Sequence, residues 1–230
     1  MMKLLAFVIA VPLAVIGWQW YGDHRAEQRL GPVGSQVAGR AVEAQCQSFW
    51  AALIDVKPRH GEVQFSADGI PEPRFFLIQA TCDRLTAFAG NGRHAELDCL
   101  RAIDLASREA WRAVYACGKE TTKTLFALHT LAHEAYHTAG VQDEKATNCY
   151  AAQALAFTAT ALGAEEDEAL LAARAMTAVL PVQGTTYGTN ECVHGGGFDL
   201  HPETAAFPTE LPIRAPLGFG GRPGIASGAR

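Results

Sequence analysis

The sequence predicts a mainly α domain, with α+β possible, behind an apolar N-terminal segment. Three observations lead there. Long stretches repeat apolar residues every three or four positions, the period of a helix with one buried face. Only two short runs, Gly61 to Ser66 and Arg74 to Ala80, have the composition of strands. Residues Leu4 to Tyr21 form an almost unbroken apolar run behind Lys3.

That apolar run is near the minimum length for a membrane span. It ends in Gly17-Trp18-Gln19-Trp20-Tyr21, aromatic residues of the kind that settle at a membrane–water interface. No small-x-small cleavage site follows closely, and Pro12 is tolerable in a span. The expectation is a single-pass anchor over residues 1–22, with the rest of the chain on the exported side of the cell membrane. A cleaved signal segment and a secreted protein form the alternative. Residues 23–35 read as a polar linker and 36–180 as one domain.

Within the domain, Gln36 to Val56 sets Val37, Val42, Cys46, Phe49, Trp50 and Leu53 in a helical rhythm. The two strand candidates follow, the second rich in Phe75, Phe76, Leu77 and Ile78. Glu96 to Tyr115 returns to helix, with Leu100, Ile103 and Trp111 on its apolar side. The next helix has Thr121-Thr122 as N-cap, carries Leu125, Leu128, Ala132 and Tyr136, and ends at Gly140, a C′ glycine. Another runs from Asp143 to Leu162 with Gly163 beyond, and a last one from Glu165 to Leu180. The acids Glu165, Glu166, Asp167 and Glu168 suit the positive end of that helix. Residues 181–230 are dense in Gly, Pro and Thr and form a C-terminal segment, loosely ordered from Pro208 onward.

The net charge of −5, without a Lys/Arg cluster, offers no electrostatic basis for binding nucleic acid. All six cysteines follow the apolar run. An even number in an exported chain predicts up to three disulfides, with 15 pairings open. No Cys-x-x-Cys occurs, which argues against a cysteine zinc knuckle. A bridge from Cys149 to Cys192 would pin the C-terminal segment beside the start of the Asp143–Leu162 helix.

The chemistry is concentrated in His133-Glu134-Ala135-Tyr136-His137. Residues four apart on a helix lie one turn along on nearly the same face, so two imidazoles can grip one metal ion without bending the backbone. Glu134 stands beside the first histidine, where its carboxylate can reach water at the metal rather than the metal itself. A catalytic zinc site needs a third protein ligand and keeps its fourth position open. The short turn after Gly140 brings the start of the next helix back, and both Asp143 and Glu144 stand there.

These residues resemble the zincin metallopeptidases over about residues 125–157, in two forms. The string His133-Glu134-x-x-His137-x-x-Gly140-x-x-Asp143 is similar to the metzincin pattern, with Asp143 where a third histidine usually stands. The downstream Met176, however, lies in a helical pattern rather than a Met-turn. The second resemblance is to gluzincins, whose third ligand is a Glu on a following helix. Glu144 would be that ligand here, with Asn148 one turn on to orient His133 or His137. The spacer is shorter than in thermolysin-like gluzincins. Glu144 is the preferred ligand, and Asp143 then caps the second helix.

The resemblance implies a zincin-like helical domain, Zn2+ held by His133, His137 and Glu144, and Glu134 as general base. It also implies a peptide or protein substrate and a small sheet beside the active-site helix. Spacing alone supports only metal-assisted hydrolysis. The rival reading is a non-catalytic extracytoplasmic metal-binding or scaffold module. His129, one turn before His133, reads as a supporting or surface histidine. Tyr187 and His194 are candidates for stabilising an oxyanion. His24, His60, His94 and His201 have no partner pattern.

Overall fold

The computed structural model describes residues 21–47, 61–90, 94–202 and 207. The expected anchor up to Trp20, the second half of the expected Gln36–Val56 helix, and the C-terminal stretch from Pro208 lie outside them. Among the described residues no helix is long and apolar enough to cross a membrane.

The architecture is mainly helical with one small sheet. Helix α1 covers 21–38 and is followed by β1 (Glu43–Cys46), β2 (Gly61–Phe65) and β3 (Pro71–Leu77). Then come α2 (Gln79–Gly90), a 3-10 helix (Ala95–Ala102), α3 (Ala110–Ala116), α4 (Lys119–Thr138), α5 (Glu144–Ala161) and α6 (Glu166–Val179). The strand order is β1-β3-β2, with β1 parallel and β2 antiparallel to β3. Among the described residues β2 is therefore an edge strand. Helix α4 runs through the middle, in contact with α2, α5, β2 and β3, and almost every residue from Thr124 to Thr138 is buried. Helix α6 covers the other side of α5, burying Ala169, Ala172, Ala173, Met176 and Val179. Met176 is thus a core residue of a helix, not part of a Met-turn.

Two expectations near the N-terminus are corrected. Residues 23–35 are not a linker: they are helical, and Ala26, Leu30, Val33 and Val37 form a buried stripe at helical spacing. Within this helix Gly34 serves packing. A Cβ at Gly34 would come within 2.7 Å of the Phe75 ring, so its absence lets α1 lie against the sheet. The Gln36–Val56 helix does not form as expected, because the chain reverses at Gly39 (φ +66°) and continues into β1. The Ser35 hydroxyl fixes that reversal by accepting from the Val42 amide and donating to the Gly31 carbonyl.

The Glu96–Tyr115 stretch is also interrupted, forming a 3-10 helix and α3 separated by turns. Between them Asp104 accepts from the Ala106 amide and Ser107 from the Glu109 amide, so short polar side chains take donors that a continuous helix would use. The two expected strands are present: β2 keeps its bounds to within a residue, whereas β3 runs three residues earlier than Arg74 to Ala80, because Gln79 and Ala80 begin α2. Three disulfides join Cys46 to Cys82, Cys99 to Cys117 and Cys149 to Cys192. The last is the bridge anticipated from the sequence. It ties residues after α6 to α5, where Gln153 also donates to the Phe198 carbonyl and accepts from the Leu200 amide.

Candidate metal centre

Local signals shape the hairpin between α4 and α5. Helix α4 begins at Lys119 behind Gly118 (φ +102°), two residues before the expected Thr121-Thr122 cap. Its end has two nested bonds: Gly140 donates to the His137 carbonyl and Val141 to the Tyr136 carbonyl. With Gly140 at φ +98° this is a left-handed glycine stop that satisfies carbonyls the helix leaves open. Arg40 donates to the Thr138 carbonyl at the same end. Three residues later Asp143 caps α5, its side chain accepting from the Ala146 amide at 2.7 Å. That puts Glu144 at the first position of α5, facing back toward the end of α4.

The result is a group of three donors. His133 Nε2 and His137 Nε2 lie 2.9 Å apart. Glu144 Oε2 is 3.2 Å from the first and 3.5 Å from the second. These are the described residues that could hold a metal ion together, and Asp143 is not among them. A tetrahedral ion about 2.0–2.1 Å from each ligand would hold neighbouring ligand atoms roughly 3.3 Å apart, so the spacing fits. The His137 tautomer fits as well. His137 Nδ1 donates to the Val141 carbonyl at 2.6 Å, which leaves Nε2 with its lone pair toward the shared point. The turn that stops α4 therefore also orients a ligand.

The electrostatics follow from burial and from this convergence. Burial holds His133 below the ordinary imidazole value, against the opposing pull of Glu144. Burial also presses His137 down, but Glu144, the Val141 carbonyl and Glu134 outweigh it, and His137 lies above its ordinary value. Hydrogen bonding to His133 and His137 keeps Glu144 well below the usual carboxylate range. Glu134 is different. Burial pushes its carboxyl up to about 8; His137 opposes the rise, while Glu144 and Glu62 add to it.

The surroundings come from distant parts of the chain. The head of β2 covers Glu134: a Cβ at Gly61 would fall 2.5 Å from Glu134 Cγ and Oε1. At the other end of β2, the Phe65 ring meets His137 edge-on, centroids 6.4 Å apart. Gln142, in the α4–α5 turn, donates to the Gly69 carbonyl and so ties the β2–β3 hairpin to the ligand hairpin. On α5, Asn148 sits one turn past Glu144 and bears on His133, while its side-chain amide donates to the Tyr187 carbonyl.

Histidine 129 is not a member of the group. It is buried, pushed down to about 3 by burial and by His133, and its Nε2 donates to the Asn148 carbonyl. Its role is to bolt α4 to α5. Tyr187 presents its carbonyl to Asn148 and leaves its side chain exposed, and His194 pairs with Asp199 at 3.5 Å. The sequence reading missed Gly61, Glu62, Phe65 and the Val141 carbonyl. Only the last carried a signal, since a carbonyl just past a glycine stop lies within reach of the last turn's side chains.

No family model matches the chain, and neither a curated protein nor a solved structure matches it.

Proposed function

We propose that this protein is an exported zinc metallopeptidase, membrane-anchored through its N-terminal segment, with a zincin-like domain over residues 36–180 to which α1 also contributes. The observation that carries this reading is the convergence of His133, His137 and Glu144 on one point, with Glu134 beside it and outside the donor set. Two imidazoles and a carboxylate form a mixed nitrogen and oxygen set suited to zinc. Zinc there supplies a Lewis acid for a carbonyl and makes water more acidic. Glu134 takes the proton from the attacking water at its carboxylate and returns it to the leaving nitrogen.

The edge strand supports a peptide as substrate. Among the described residues β2 pairs only with β3, which leaves its outer edge without a described partner strand. An extended peptide added there would gain main-chain hydrogen bonds and run from Gly61, beside Glu134, to Phe65, beside His137. The burial of Glu134 favours the second reading, a metal-binding or scaffold module without turnover, because a covered carboxylate has little access to water.

Elemental analysis of the purified protein tests the metal. Wild type is expected to carry about one zinc per chain, as a mononuclear site requires. His137→Ala is expected to lose it. Full zinc retention by His137→Ala would end the proposal, and zinc binding without peptide cleavage across a broad library would leave the scaffold reading.

A further inference from the structure

We propose that Gly61 is a positioning residue for Glu134, and that the missing side chain at the head of β2 holds the base in place. The inference rests on the metallopeptidase reading for its meaning, but its geometry stands independently. A Cβ built on Gly61 would lie 2.5 Å from Glu134 Cγ, 2.5 Å from Oε1 and 2.6 Å from Cδ. Real carbon atoms do not approach so closely, so any side chain at 61 must displace something. All three nearest atoms belong to the Glu134 side chain rather than to backbone. The Glu134 side chain is therefore what yields, by turning to another rotamer, while the strand stays paired with Leu77 of β3.

No conformational need accounts for a glycine here. Gly61 is absent from the residues with positive φ, so the backbone is one that alanine adopts freely. In a strand, glycine is otherwise a poor choice, losing entropy and packing nothing. A glycine in ordinary strand conformation marks a place where something must come close, and here that neighbour is the carboxylate of the proposed base. The base needs no fixed partner on its own helix, because the strand above it restricts where the carboxylate can go. Glu62, next along, adds its negative charge to the same surroundings.

The test is a double-mutant cycle on the full chain, read by thermal melting, zinc content and peptide turnover. Gly61→Ala is expected to keep its zinc, since Glu134 is not a ligand, and to lower the melting temperature by about 3 °C. In the Glu134→Ala background the added methyl finds vacated space, so Gly61→Ala should then cost nothing or stabilise slightly. Turnover by Gly61→Ala should fall at least tenfold, in kcat rather than KM, because a displaced base still permits binding. Equal melting losses in both backgrounds would overturn the proposal, as would wild-type turnover by Gly61→Ala. If wild type itself cleaves no peptide, the metallopeptidase reading falls while the melting cycle still decides whether Gly61 sets Glu134.

Discussion

The α4–α5 hairpin and strand β2 build one centre from opposite kinds of information. In the hairpin the donor group itself is built locally: His133 and His137 one turn apart, the Gly140 stop, the Asp143 cap and Glu144 directly behind it. From β2 every contribution is tertiary: Gly61 against Glu134, Glu62 acting on it, and Phe65 against His137. The hairpin sets where a metal would sit. The strand sets what surrounds the proposed base. A ligand group can therefore be recognised from a short motif, whereas the working state of the base depends on chain that the motif does not contain.

The sharpest way to break that division is Glu134→Gln. The amide keeps the shape under Gly61 and removes the proton acceptor. If the hairpin alone holds the metal, zinc content should match wild type while turnover falls by about 10²- to 10⁴-fold, the usual consequence of losing a general base. Equal turnover would take Glu134 out of the mechanism. Loss of zinc would show that the region under β2 also supports the ligands, and the division would fail.

A smaller effect is expected from freeing the segment after α6. The bridge from Cys149 to Cys192 closes 43 residues, for which the chain-entropy account gives a stabilisation of about 4 kcal/mol, with 2–4 typical. Cys149→Ser with Cys192→Ser should lower the melting temperature measured by calorimetry. Zinc stoichiometry below that melting point should persist, because neither cysteine lies among the converging donors. Zinc lost well below the melting point would instead mean that the Tyr187 carbonyl, acting through Asn148 on α5, is needed to hold the ligand set.

The same division explains what could be read in advance. The helices α4, α5 and α6 were legible because their apolar stripes lie in their own sequence, helped by the Asp143 cap of α5 and the glycines Gly140 and Gly163 after α4 and α5. So were β2 and β3, the second from its run of Phe75, Phe76 and Leu77. β1 was not legible. Glu43-Ala-Gln-Cys46 has no strand composition and owes its form to parallel pairing with Arg74 to Leu77. Helix α1 was missed because residues 23–35 read as a polar linker, whereas Ala26, Leu30, Val33 and Val37 share a face buried against the rest of the chain. In the centre, the two histidines and the choice between Asp143 and Glu144 were available from spacing. The close approach of Gly61 to Glu134 was not, since no local pattern says which strand lies over which turn of a helix.

The smallest effect tests the boundary between cap and ligand. Asp143 and Glu144 are neighbours, and either carboxylate could complete the group from spacing alone. The structure commits Asp143 Oδ1 to the Ala146 amide at 2.7 Å, while Glu144 Oε2 lies within 3.5 Å of both imidazole nitrogens. Asp143→Ala should then cost about 1 kcal/mol of stability, the ordinary loss of an N-cap, or a melting shift of about 2–4 °C. Its zinc content should stay near one per chain. Asp143→Asn keeps an acceptor for the cap and should melt close to wild type, and Glu144→Ala should lose most of the zinc. The opposite ranking, with Asp143→Ala empty and Glu144→Ala loaded, would move the third ligand by one residue and restore the metzincin-like assignment. Because the two variants alter adjacent residues in the same first turn, any general loosening of the hairpin would lower zinc in both, so only a true ligand can separate them.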